Sequence, residues 1–280
     1  MAFVTQGSGT TSAGRLLNES WRTNIAYAVN KQRGVLQRIT DTGEDHIGPG
    51  WKIHWPIMPV WASAAYSGAP ITFTDTDVTE SVATPTIGLA AALIQEDVLK
   101  TTAVPAVKAY APALAEAVLQ KIEVDILLKH ASSTGTSGSQ TSTFSEGDFL
   151  TAIGNLATNA GDKFAPGEWY GIYAVGQYKN ALGFGNLISA SVRGETNGPA
   201  KTGMLKLAYG GDLLFTDNVA TSTGRRNILF VKPWCWIARK DKPSVRQEWS
   251  ATDLGIKMVA THFYGLAVLL NTLATVHITA

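Results

Sequence analysis

The sequence has little charge and almost no cysteine. Only 16% of its 280 residues are charged, and the formal net charge is +1. A soluble domain usually carries about a quarter charged residues. No global basic field is therefore available to hold nucleic acid over the whole surface. Cys235 is the one cysteine, which excludes an intrachain disulfide and any zinc site built on several thiols. It lies in the apolar run Pro233-Trp234-Cys235-Trp236 and reads as a core side chain rather than a reactive thiol. The histidines are His46, His54, His130, His262 and His277. None stands at ligand spacing to another, and all five read as surface or interface side chains. Nucleophile elbows, Walker loops and dinucleotide fingerprints are missing. Gly183-Phe184-Gly185 lacks the third glycine such a fingerprint needs. No enzyme activity, cofactor or metal site is expected. The start, Met1-Ala2-Phe3-Val4, has neither a charged nor an apolar leader region, so no secretory signal is expected. The apolar run 259–278 contains His262, Asn271 and His277. With its many Thr and Val residues it fits strands better than a membrane span.

What is present is a large apolar load, 45% of the chain, enough for a sizeable core in one or two domains. Sparse charge also suits extensive burial between subunits. The charge that exists is uneven. Residues 1–40 hold Arg15, Arg22, Lys31, Arg33 and Arg38 against Glu19 alone, leaving 18 basic and 21 acidic residues for the remainder. Residues 1–13 are rich in Gly, Ser and Thr, and Leu17, Trp21, Ile25 and Val29 recur at the spacing of an amphipathic helix. The basic residues fit either a solvated helix face or a surface turned toward DNA.

Residues 51–58 and 71–78 read as the two strands of a hairpin joined through 64–70. Trp51, Ile53, Trp55 and Ile57 fall on one face, and Lys52, His54, Pro56 and Met58 on the other. Pro56 and Pro59 cannot donate to a ladder, so this is no central strand. The ribbon carries Trp51, Trp55, Trp61, Tyr66, Ile71 and Phe73 with no local core to receive them, and such a load suggests cover from another copy of the chain. Asp75, Asp77 and Glu80 alternate along the return strand but lack the glycine and distal glutamate of a calcium loop. An apolar run over 87–99 follows.

The strongest helix comes next, capped by Thr101 or Thr102 with Pro105 in its first turn. Val107, Ala111, Leu114, Val118, Ile122 and Ile126 form its inner stripe, and Pro112 is expected to kink it. Glu116, Glu123 and Asp125 read as partners in ordinary helix ion pairs with Lys121 and Lys129. Residues 132–143 are almost all Ser, Thr and Gly, a flexible linker by composition and the best domain boundary. Ser145 and Asp148 start a second helix that turns Phe149, Ile153 and Leu156 inward and stops at Gly161. Strands are expected over 169–174, 213–216, 228–231, 234–238, 255–262 and 266–277, with a short helix over 176–182.

This order of parts resembles the major capsid proteins of tailed bacteriophages, which share the Hong Kong 97-type fold. The similar text is Gly68-Ala69-Pro70-Ile71-Thr72-Phe73-Thr74-Asp75, Glu96-Asp97-Val98-Leu99, Gly211-Asp212-Leu213-Leu214-Phe215-Thr216-Asp217-Asn218 and Phe263-Tyr264-Gly265-Leu266. The resemblance implies an α+β chain with an N-terminal arm (1–48), an extended hairpin loop (49–82), a peripheral domain with a long spine helix (83–132), an axial domain (133–240) and a return to the peripheral domain (241–280). It implies a protein that self-assembles as hexamers and pentamers into an icosahedral shell around double-stranded DNA, located in the virion and, during assembly, in the host cytoplasm. Trp51, Trp55, Trp61, Tyr66, Ile71 and Phe73 would then be intersubunit residues, and Arg15, Arg22, Lys31, Arg33 and Arg38 weak, non-specific DNA contacts. A portal, a separate scaffold protein and decoration proteins are the other implied partners, with no membrane. The family's lysine–asparagine crosslink is not expected, because Lys52 stands at the hairpin base and Asn271 is its nearest-looking partner.

Two other function classes fit the same composition. One is an encapsulin-type shell of the same fold holding protein cargo. The other, less favoured, is a small-molecule enzyme of mixed α and β structure, which would need a pocket with convergent titratable groups. A tail component is a further structural alternative.

Overall fold

The computed structural model describes residues 4–5, 34–41, 52–57, 78–101, 106–184, 211–221, 224–239 and 244–280. Two sheets and two principal helices organise them. The first sheet has six strands: β1 (Val4–Thr5), β5 (Pro85–Gln95), β12 (Gly255–Val268), β10 (Cys235–Arg239) and β2 (Thr40–Asp41) in that order, with β11 (Ser244–Ser250) also on β12. β12 is its axis. It pairs antiparallel with β5 from Gly255 to Gly265 on one side, and with β11 and then β10 on the other. The second sheet has five strands, β6 (Gly135–Gly138), β13 (Ala274–Thr279), β9 (Arg225–Val231), β7 (Trp169–Ala174) and β8 (Asp212–Thr216). A two-stranded ribbon joins β3 (Ile53–Ile57) to β4 (Thr79–Ala83).

β5 leads through the short α1 (Glu96–Thr101) toward the long α2 (Ala106–Leu128). The spacing of Ala111, Leu114, Val118, Ile122 and Ile126 works as a helical stripe, and all five are buried. They share one core with Ala92, Ile94, Met258 and Ala260 of the first sheet and with Ile172, Ile228 and Phe230 of the second. The helix runs through Pro112 without ending. α3 (Glu146–Ala160) begins where Ser145 accepts from the Asp148 amide and ends at Gly161 with φ 54, as caps of these types should. Its buried Phe149, Ala152 and Leu156 pack with Phe144, Trp169, Tyr173 and Phe184 in a second core. The short α4 (Tyr178–Leu182) follows β7.

Several expectations are corrected. The stretch 132–143 is not simply a linker, since it contains β6, which pairs parallel with β13. Its glycine has a packing role: a Cβ on Gly135 would lie 2.4 Å from Asn159 Nδ2 and 2.5 Å from Thr275 Oγ1. The hairpin register also differs. Ile53–Ile57 pairs with Thr79–Ala83, Trp55 opposite Ser81, while 71–77 of the expected return strand lie outside the described residues. The two closing strands divide later than the alternation suggested, at a single turn of tight helix over Asn271–Leu273. β11 has no counterpart in the sequence reading. Finally, the chain exchanges sheets near its end: β10 belongs to the first sheet and β13 to the second.

Candidate assembly surfaces

The root of the ribbon is the first candidate. Alternation along β3 leaves Ile53, Trp55 and Ile57 half-buried and His54 and Pro56 exposed, the two faces the sequence assigned. The inner face rests on the side of the first sheet opposite α2. There Ile53, Trp55 and Leu269 pack on Ala83, Trp236, Ala238 and Ala267. The Trp55 and Trp236 rings meet edge-on at 5.2 Å, the geometry that aligns positive edge with negative face. Trp236 is buried and donates through Nε1 to Ser81 Oγ at 3.0 Å. Ser81 in turn donates to the Val268 carbonyl at 2.8 Å. This relay satisfies the buried indole N–H and ties β4 to the end of β12. The solvent face carries His54 and Glu80, 2.9 Å apart, beside exposed Val82.

Trp55 therefore makes a contact inside its own chain, where the sequence suggested cover by a neighbour. Trp51, Trp61, Tyr66, Ile71 and Phe73 lie outside the described residues, as do Asp75 and Asp77. Of the five basic candidates only Arg38 is described. Its guanidinium is mostly buried and pairs with Asp212 at 2.7 Å, and it also donates to the Gly34 carbonyl. Arg38 is thereby engaged in the fold rather than displayed as part of a basic face. Arg15, Arg22, Lys31 and Arg33 are outside the described residues.

Arg38 belongs to the second candidate surface, the segment 34–41. Val35, Leu36 and Ile39 are buried in the main core, and β2 pairs with β10, where Arg239 and Asp41 form an ion pair. Glu123 on α2 accepts from the Val35 amide at 3.3 Å and from Asn218 Nδ2 at 2.9 Å. Burial raises its pKa above the ordinary carboxylate value, against these hydrogen bonds and the nearby Arg38. Segment 34–41 thus touches the first sheet, the second sheet and the long helix at once. Lys121 pairs with Asp125 as the sequence suggested, but Glu123 does not join an ion pair of that kind. Its role was not legible, because Asn218 is 95 residues away.

Three other titratable side chains, Cys235, His262 and His277, sit in cores. Cys235 is buried and its thiol is pushed up to about 12 by desolvation. His262 and His277 are buried as well, which corrects their reading as surface or interface side chains. His277 Nδ1 lies 3.1 Å from the Tyr173 hydroxyl, and burial lowers its pKa to about 4. Among the described residues no group of three or more His, Cys, Asp or Glu side chains could hold a metal ion, and no helix is long and apolar enough to cross a membrane.

No protein-family model matches the sequence, and no curated protein does. Solved structures do match. The capsid structure of the cyanophage P-SCSP1u is 14% identical, with 87% of this chain and 86% of that one covered at a TM-score of 0.66. A structure from Mycobacterium phage Che8 is 15% identical, with 94% of both chains covered and a TM-score of 0.63. A virus-like particle from Pyrococcus furiosus is 14% identical, covering 92% of this chain and 97% of that one at 0.61. The chain has the fold of phage capsid proteins over nearly its whole length.

Proposed function

We propose that the protein is a major capsid subunit of a tailed phage, which assembles as hexamers and pentamers into an icosahedral shell around double-stranded DNA. The observation that carries this reading is the likeness to capsid structures at nearly full coverage of both chains. The described surfaces fit the role. The ribbon is rooted on the first sheet through Trp55, Ser81 and Trp236, and Trp61, Tyr66, Ile71 and Phe73 follow in the stretch between its two strands. A rooted ribbon bearing these side chains is suited to burying them on a neighbouring copy, and a shell repeats each such contact in every subunit. Arg15, Arg22, Lys31 and Arg33 are the residues through which the arm would meet DNA, weakly and without sequence preference. A portal, a scaffold protein and decoration proteins are the partners this role implies, in the host cytoplasm during assembly and in the virion afterwards.

A second reading, an encapsulin-type shell around protein cargo, is favoured by the Pyrococcus furiosus virus-like particle, of which 97% is covered. One experiment tests both. Particles formed by the full chain are imaged by electron microscopy, treated with nuclease, and their contents extracted. Closed shells holding protected DNA support the phage reading, and closed shells holding only protein support the second. A chain that stays monomeric at high concentration in sedimentation velocity overturns both.

A further inference from the structure

β11 is an edge strand of an unusual kind. It pairs with β12 on one side and, among the described residues, with nothing on the other. Ser244, Arg246, Gln247, Glu248 and Trp249 along it are exposed, Trp249 at 50%. Open edges of this length invite pairing with another chain, and proteins that avoid it place charged side chains, especially lysines, or prolines there. β11 has neither lysine nor proline, and its two charges are of opposite sign, so they can pair with those of a second copy instead of repelling it. Arg246 and Glu248 have opposite signs and lie two residues apart, hence on one face of the strand. Val245, Gln247 and Trp249 share the other face, the one that continues Ile256, Met258 and Ala260 of β12.

We infer that β11 is a self-complementary docking edge for a second copy of this chain, paired antiparallel about a two-fold axis at Gln247. In that register Arg246 stands opposite the other copy's Glu248, Val245 opposite its Trp249, and Ser244 opposite its Ser250. The neighbouring registers fail. A centre at Arg246 opposes arginine to arginine, and a centre at Glu248 opposes glutamate to glutamate. A centre between residues would set one copy's polar face against the other's apolar face. The register at Gln247 is the one that pairs both charges and both apolar side chains. Two six-stranded sheets would join into one continuous sheet, with each exposed Trp249 covered by Val245 of its mate.

Cysteine scanning of the full chain tests this. At the axis the two Gln247 Cα atoms would lie roughly 4.5–5.5 Å apart, within the range a disulfide spans. Mild oxidation of Gln247→Cys should give a dimer on non-reducing electrophoresis. Arg246→Cys places its two thiol-bearing Cα atoms about 8 Å apart and should not crosslink. The buried Cys235 gives no background. Charge provides the second arm. Arg246→Glu should raise the concentration needed for dimerisation roughly fivefold to tenfold, and adding Glu248→Arg should restore it. Crosslinking of Arg246→Cys instead of Gln247→Cys, or no rescue by the double variant, overturns the inference. The shell reading fails separately: closed particles without the Gln247→Cys dimer sink only this contact, and the dimer without closed particles sinks only the shell.

Discussion

Trp55 on the ribbon and Trp236 in the first sheet meet edge-to-face, their ring centroids 5.2 Å apart, although 181 positions separate them in the chain. The contact fixes the ribbon's root to the sheet. Trp55→Ala should therefore destabilise the isolated subunit by about 1–3 kcal/mol, combining partial burial with the aromatic pair. Urea unfolding of unassembled protein measures it. An unchanged midpoint would mean that the root is held elsewhere.

Ser81 should be nearly as important as Trp55. Ser81→Ala removes the acceptor for the buried Trp236 N–H and the donor to the Val268 carbonyl. Leaving a buried donor without a partner costs about 1–3 kcal/mol. Pairing Ser81→Ala with Trp236→Phe, which has no N–H, should recover part of that loss in a double-mutant cycle. Additive losses would refute the relay.

The second sheet should weaken in acid. His277 is buried beside Tyr173, and its pKa falls from 6.5 to about 4 because desolvation disfavours the charged ring, with the Asp148 carboxylate opposing. Between these values the unfolded chain binds the proton and the folded chain does not. The contribution is present above about pH 6.5 and is lost as pH falls toward 4, on the order of 3 kcal/mol. Denaturation midpoints across this window should fall less steeply in His277→Gln than in the parent.

Gly135 should not tolerate a methyl group. Gly135→Ala drives the new carbon into Asn159 and Thr275, and overpacking of this sort costs typically about 1–3 kcal/mol. A linker glycine would accept the change freely, so thermal unfolding of this variant separates β6 from the compositional reading.

The basic residues of the arm should divide in two. Replacing Arg15, Arg22, Lys31 and Arg33 with alanine should lower the salt slope of DNA binding by up to roughly 3–4, with the subunit's unfolding midpoint unchanged. Arg38→Ala should act on stability instead, because it strips Asp212 of its ion pair. An equal salt effect from Arg38→Ala alone would contradict its place in the fold.

Local chemistry was enough for much of this protein. Periodicity marked the long helix and its stripe, Ser145 and Gly161 marked the ends of the next one, and the alternation of Ile53, Trp55 and Ile57 assigned the ribbon's faces. Each of those signals is a property of neighbours in the chain. The surfaces depend on something else. That Trp55 finds Trp236, that Glu123 holds Val35 and Asn218, and that His262 and His277 end in cores are long-range facts, set by which strands pair. The Ser/Gly run at 135–138 could not be distinguished from a linker, because what makes it a strand is its ladder with β13, more than 130 residues further along the chain. Likewise Arg246 and Glu248 are only two nearby charges in the sequence. Tertiary structure decides that they lie on an open edge, since β12 is long enough to fill one side of β11 and no described strand fills the other.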